Sequence, residues 1–142
     1  MTRTRLLGID PGERRIGIAI SDRARLIAQP LRVVDRRKSD AFAVISEICD
    51  VEDVELVVVG LPISLSGEEG ASAVAARKFG EHLKSASGRN LVYWDERFTS
   101  VQAEHALLEA GMRREKRRDT RDMIAAALML QGYLDSKASE ES

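Results

Sequence analysis

The sequence predicts an α/β fold: a mixed five-stranded sheet, part antiparallel meander and part parallel, with helices on both faces. Three observations predict it. Short β-rich runs joined by tight turns open the chain, a continuous β-branched run, "VELVVVGLP", stands near its middle, and segments with apolar residues at helical spacing flank the later strands. A chain of 142 residues can bury a substantial core as one domain. The expectation is a single domain over residues 1–142, with a frayed polar tail from about 136.

Leu6–Asp10, Ile16–Ser21 and roughly Leu26–Val34 read as strands linked by "PGERR" and "DRAR", too short for a crossover, so they form an antiparallel meander. From Asp40 to about Val51, the spacing of Phe42, Val44-Ile45 and Ile48-Cys49 predicts a helix. The run "VELVVVGLP" is too apolar for a half-exposed strand and reads as a central one, covered on both faces and parallel to the first. A Gly/Ser-rich loop over 60–70 follows, then a helix over 71–86 and a short strand at Leu91–Trp94. Thr99 with Gln102 suits a capping box for a helix to Ala110, where Gly111 fits the left-handed exit. A last helix begins near Asp119 and carries Met123-Ile124, Ala127-Leu128, Leu130 and Leu134 on one face.

No apolar run reaches membrane-spanning length and the apolar start is too short for a signal peptide, so a cytoplasmic chain is expected. The lone Cys49 lies in an apolar helical pattern and reads as an inert core thiol. His82 and His105 fall in helices and are expected to face solvent. With so few sulfur and imidazole ligands, any bound metal would be a hard one held by carboxylates. Net charge is −1, which gives no global attraction to nucleic acid, yet "RREKRRDTR" over 113–121 carries six Lys/Arg in nine positions. A smaller basic cluster stands at Arg36-Arg37-Lys38. Such runs are either solvated faces or contacts for a phosphate backbone.

In a sheet of this kind ligands collect at the carboxyl ends of the parallel strands, where the topology switches. Asp10 ends the first strand, Glu96 stands just beyond the fifth, and Asp122 opens the last helix. Each has a plain alternative: a Pro-Gly turn for Asp10, a surface ion pair for Glu96, an acid offsetting the helix dipole for Asp122. Together they make an oxygen-rich set of the kind Mg²⁺ accepts, and two such ions can activate a water and stabilise the leaving oxygen of a phosphodiester. Asp22 and Asp95 also end strands and read as turn or supporting residues.

The motifs "GIDPGERRIGIAISD", "VVVGLPISLSGEEG", "DERFTSVQAE" and "RDMIAAALMLQGYL", in this order over nearly the whole chain, resemble those of the YqgF/RuvX family. The resemblance implies an RNase H-like fold and a nuclease using Mg²⁺ or Mn²⁺, a pair of ions, with Asp10, Glu96 and Asp122 as the catalytic and metal-binding triad. Where that family carries an apolar residue before the last acid this chain has Arg121, and Asp119 stands three residues before Asp122. Asp122 is taken because "AAA" follows it, and small residues let the helix approach the sheet. Members are described as processing the 5′ end of precursor 16S ribosomal RNA and as Holliday junction resolvases. The implied partners are therefore an rRNA precursor or branched DNA, ribosomal particles, and for a resolvase a homodimer. Arg14, Arg15, Arg97, Thr99, Arg113, Arg114, Lys116, Arg117 and Arg118 are the candidate nucleic-acid contacts.

Two other classes compete. A sugar-kinase-like ATPase also places a "GIDPG"-type loop after a strand, but encloses its nucleotide between two such domains, and this length supplies one. A non-catalytic nucleic-acid-binding module shares the basic segment without needing the acids.

Overall fold

The computed structural model describes residues 4–64, 66–95 and 114–141, the side chains of 114–120, 139 and 141 excepted. Five strands form one sheet in the order β3-β2-β1-β4-β5. β1 (Arg5–Pro11), β2 (Arg15–Ser21) and β3 (Ala28–Asp35) are the antiparallel meander. β4 (Val54–Leu61) and β5 (Asn90–Asp95) extend it with parallel pairs on the other side of β1. β1 is thus the central strand, flanked by one antiparallel and one parallel neighbour.

Alternation along the strands divides two cores. Leu7, Ile9, Ile16, Ile18, Ile20, Val57 and Val59 point to the face covered by α1 (Ala41–Val51) and α2 (Ala71–Ser87). Leu6, Ala19 and Val58 point to the opposite face, covered by the long helix α3 (Arg114–Glu141). Val57, Val58 and Val59 are all fully buried, which is why β4 reads as an unbroken apolar run. Asp40 caps α1 by accepting from the N–H groups of Phe42 (3.1 Å) and Ala43 (3.4 Å). Gly88 ends α2 at φ 69°, its N–H bonded to the Lys84 carbonyl.

Two features of α3 differ from the sequence expectation. It begins at Arg114 rather than near Asp119, because Arg and Lys are good helix formers and nothing in "REKRRDTR" breaks the backbone ladder. The polar end read as a frayed tail is helical to Glu141, with Lys137 and Glu140 paired at 3.2 Å one turn apart. Its buried face also shifts: Ala125, Ala126, Ala127, Met129, Leu130 and Leu134 are buried, whereas Met123, Ile124 and Leu128 are half-buried. Small residues, not large ones, make this contact. The expected helix over Thr99–Ala110 lies outside the described residues.

The approach of α3 to the sheet depends on two glycines. A Cβ on Gly8 would come within 2.8 Å of Leu130 Cβ and 3.3 Å of the Ala126 carbonyl oxygen. A Cβ on Gly17 would overlap the backbone carbonyl of Asp122. Gln131 then fastens the helix to the turn between β2 and β3, its Oε1 accepting from Ala28 N–H (2.8 Å) and its Nε2 donating to Leu26 O (2.9 Å). Among the described residues no helix is long and apolar enough to cross a membrane. Replacing Gly17 by Ala must push α3 outward, since the obstructing group is backbone. We predict a loss of about 2–3 kcal/mol in urea unfolding, larger than for Gly8→Ala, where a side chain takes up part of the strain.

Candidate active site

Asp10 is the penultimate residue of β1, opposite Gly17 of β2. Directly opposed residues of an antiparallel pair share a face, so the Asp10 side chain points the way a Gly17 side chain would: toward α3. Parity agrees, since Leu6 and Gly8 of β1 also meet that helix. The backbone of Asp122 lies directly against Gly17. Asp122, Ala126 and Leu130, four residues apart, run down the side of α3 that meets Gly17 and Gly8. The fold therefore brings Asp10 and Asp122 to one face at the carboxyl end of the central strand, both half-buried. Asp122 stands in the third turn of its helix, not the first, because the helix starts earlier. It is placed by the sheet contact rather than by the helix dipole.

Arg15, at the start of β2, is on the same face as Gly17 and Ala19, and its Nε lies 3.4 Å from Asp122 Oδ2. Sequence reasoning assigned Arg15 to a phosphate; the structure gives it a carboxylate partner within the site. Arg14 points elsewhere, pairing with Asp35 at 3.6 Å. Gly17 was not singled out in the sequence, although the signal was there: in "RIGIAIS", Gly17, Ala19 and Ser21 give one face of β2 small residues while the other carries three isoleucines.

Other expected residues divide between described and undescribed ones. Glu96, Arg97, Thr99 and Arg113 lie outside the described residues. Arg114, Lys116, Arg117 and Arg118 fall in the first turns of α3, their side chains likewise undescribed, as is that of Asp119. Among the described residues no group of three His, Cys, Asp or Glu is gathered closely enough to hold a metal ion. Two of the expected three acids are brought together, and both supply the hard oxygen donors that Mg²⁺ or Mn²⁺ takes. Asp95 belongs to the other parity of β5 from Trp94, which faces α3. Asp22 shapes the turn after β2: it accepts from the N–H groups of Leu26 (2.8 Å) and Ile27 (3.1 Å), and these bonds hold its carboxyl below the usual range. His82 is exposed, as expected, and stacks on Phe42 at 3.9 Å.

The 60–70 loop is built on local bonds. Ser64 Oγ accepts from Glu68 N–H at 3.2 Å, and Glu69 forms a two-pronged pair with Arg77 of α2 at 2.7 and 2.9 Å. Cys49 is fully buried among α1/α2 core residues, and desolvation pushes its thiol up to about 11.

Two outcomes follow from this geometry. A double-mutant cycle of Arg15→Ala with Asp122→Ala should give a coupling of about 0.5–1 kcal/mol that weakens with added salt, as for a part-exposed pair. Zero coupling at low salt would mean that the pair is not formed. Cys49 should resist a thiol reagent at pH 8 in the folded protein, where a thiol titrating near 11 has only about a thousandth of its population ionised, and should react at once in denaturant. Rapid labelling of the folded chain would contradict its burial.

Comparison with known proteins places this arrangement. A family model described as RuvX, Holliday junction resolvase, matches residues 4–136. A protein of Agathobacter rectalis named "Putative pre-16S rRNA nuclease" is 38% identical, with 97% of this chain and 99% of that one covered. One of the same name from Endomicrobium trichonymphae is 44% identical over 96% of this chain and 99% of its own. In structure the chain is similar to Thermus thermophilus RuvC in complex with a Holliday junction substrate, with a TM-score of 0.60 at 20% identity over 96% of this chain and 97% of that one. That likeness establishes the shared fold, which is RNase H-like. The four motifs, the full-length match and the fold agree: this chain belongs to the YqgF/RuvX family.

Proposed function

We propose that this chain is a divalent-metal-dependent nuclease that hydrolyses phosphodiester bonds through a single RNase H-like domain spanning residues 1–142. The observation that carries the reading is the meeting of Asp10 and Asp122 at the carboxyl end of the central strand, across a glycine that leaves no side chain between them and the sheet. Two acids from opposite ends of the chain, turned to one face, repel each other and need compensating charge. Arg15 supplies part of it at Asp122.

The donor set fits Mg²⁺ or Mn²⁺, a pair of ions, held by Asp10, Asp122 and Glu96. Glu96 is proposed on parity: Val92 and Trp94 face α3, and the two-residue repeat of a strand assigns position 96 the same parity. Bound there, the metal would supply an activated water and charge compensation at the leaving oxygen. The chain's own residues do the rest. Gly17 keeps the floor of the site low, and Arg15 orients the Asp122 carboxylate and adds positive charge beside a substrate phosphate. Arg14, Arg97, Thr99, Arg113, Arg114, Lys116, Arg117 and Arg118 hold the nucleic-acid backbone. Arg114 begins a helix that reaches Asp122 roughly 12 Å later, so its first turns extend the basic surface away from the acids.

The substrate proposed first is precursor 16S ribosomal RNA at its 5′ end, on ribosomal particles in the cytoplasm, supported by the names of relatives that match over nearly their whole length. The description of the family model favours a second reading, resolution of a four-way DNA junction, which requires two symmetric cuts and hence a two-fold homodimer.

Cleavage of precursor 16S rRNA and of a four-way junction, side by side with Mg²⁺ or Mn²⁺, tests both. The wild type should cut the rRNA, and Asp10→Asn and Asp122→Asn should each lose cleavage on the order of a hundredfold or more while still binding it. Junction cleavage by a dimer, with the rRNA untouched, would select the second reading. A wild type inert on both with either ion would end the nuclease proposal.

A further inference from the structure

Beside the acids, around the end of β1, lies a cleft of about 330 Å³ that the proposed chemistry does not use. Pro11, Gly12, Pro62, Ala75 and Phe79 form its walls, with Arg36 as its cation and Glu13 on its rim. Its volume is at the small end of the range for ligand sites, enough for one nucleotide. The walls are largely apolar, with no acid near the floor.

Arg36 is held in place. Its Nη1 donates to the Gly12 carbonyl at 3.2 Å, and its guanidinium lies over the Phe79 ring, 5.3 Å from the centroid. Its backbone N–H is bonded to the Arg14 carbonyl at 2.7 Å, which ties the end of β3 to the turn after β1. A guanidinium braced in this way loses little freedom on binding and offers a flat cationic surface, the kind on which unpaired bases stack. Neighbouring Arg37 and Lys38 do not line the cleft, so the basic cluster of residues 36–38 contains one residue in a built environment and two on the open surface.

The cleft is also continuous with the candidate active site. Pro11 follows Asp10 directly, and two residues of extended chain span at most about 7 Å, so a strand whose phosphate lies at Asp10 brings its adjacent nucleotide to Gly12. We propose that this cleft binds one unpaired nucleotide of the substrate, its base against Arg36 and its phosphate toward the acids. The proposal rests on the nuclease reading and sharpens it. A base in a pocket cannot be paired, so the substrate must be single-stranded at the cut rather than a fully paired junction arm.

Binding distinguishes the cleft from the chemistry. A fluorescein-labelled single-stranded RNA dodecamer, and the same strand annealed to its complement, are titrated in EDTA with wild type, Arg36→Gln, Ala75→Trp and Arg37→Gln, all checked for unaltered thermal unfolding. Ala75 is exposed on α2, so its replacement fills the cleft without entering the core. Arg36→Gln and Ala75→Trp should each weaken single-strand binding about tenfold, the loss of one stacked base, with duplex binding unchanged within about twofold. Arg37→Gln should weaken both forms alike and by less. Losses at Arg36 and Ala75 no greater than at Arg37, or a wild type that binds duplex as tightly as single strand, would overturn the proposal. Cleavage of the same RNA with Mn²⁺ separates the two claims. The expected binding pattern without any cutting would leave the cleft and remove the nuclease, whereas cutting with binding indifferent to Arg36 and Ala75 would do the reverse.

Discussion

The close contact between α3 and the middle of the sheet governs the rest of this structure. It exists because β1 and β2 present Gly8, Gly17 and Ala19 on one face while α3 answers with Ala125, Ala126 and Ala127. Removing side chains from both partners lets backbone approach backbone, as in any tightly packed helix pair, and loses little buried apolar area because Leu6, Val58, Met129, Leu130 and Leu134 surround the contact. The opposite face works differently, with large isoleucines and valines of the sheet filling the space beneath α1 and α2. One sheet thus has a thick core and a thin one. The carboxylates stand at the end of the thin one.

That asymmetry explains why a half-buried acid can sit there at all. Asp122 is positioned by its own backbone, pressed against Gly17, so its side chain emerges where the sheet ends rather than in the apolar layer. Arg15 balances it, drawn from the strand that also supplies the glycine. Asp10 reaches the same face through the parity of β1, and Pro11 and Gly12 then turn the chain away. Position and charge compensation come from one short hairpin, residues 10–17, which also contributes a wall of the neighbouring cleft.

Much of this was legible in the sequence, for identifiable reasons. Strands β1 to β3 are marked by turns too short for a crossover, β4 by an apolar run that only a doubly covered strand tolerates, and α1 by an Asp40 cap before periodic apolar residues. The C-terminal helix was legible in existence but not in extent. Its basic first turns and its polar last turns carry no apolar period, and helix propensity alone extends it in both directions. Its buried stripe was misplaced for a related reason: reading periodicity from large residues favours Met123 and Ile124, while packing on glycines selects the alanines. The pairing of Arg15 with Asp122 was not legible, because an ion pair between residues far apart in the chain depends on register, and register is fixed only when the strands meet. The juxtaposition of Asp10 and Asp122 followed from topology, from one acid ending a central strand and another leading into an "AAA" segment.

The central claim is that Asp10 and Asp122 act on the same metal. Crystals grown with Mn²⁺ and measured for anomalous scattering test it most directly. The account predicts a peak about 2 Å from a carboxylate oxygen of each residue, with Arg15 displaced from or sharing Asp122. Manganese bound to one acid only, or to neither while occupying other carboxylates of the chain, would contradict it.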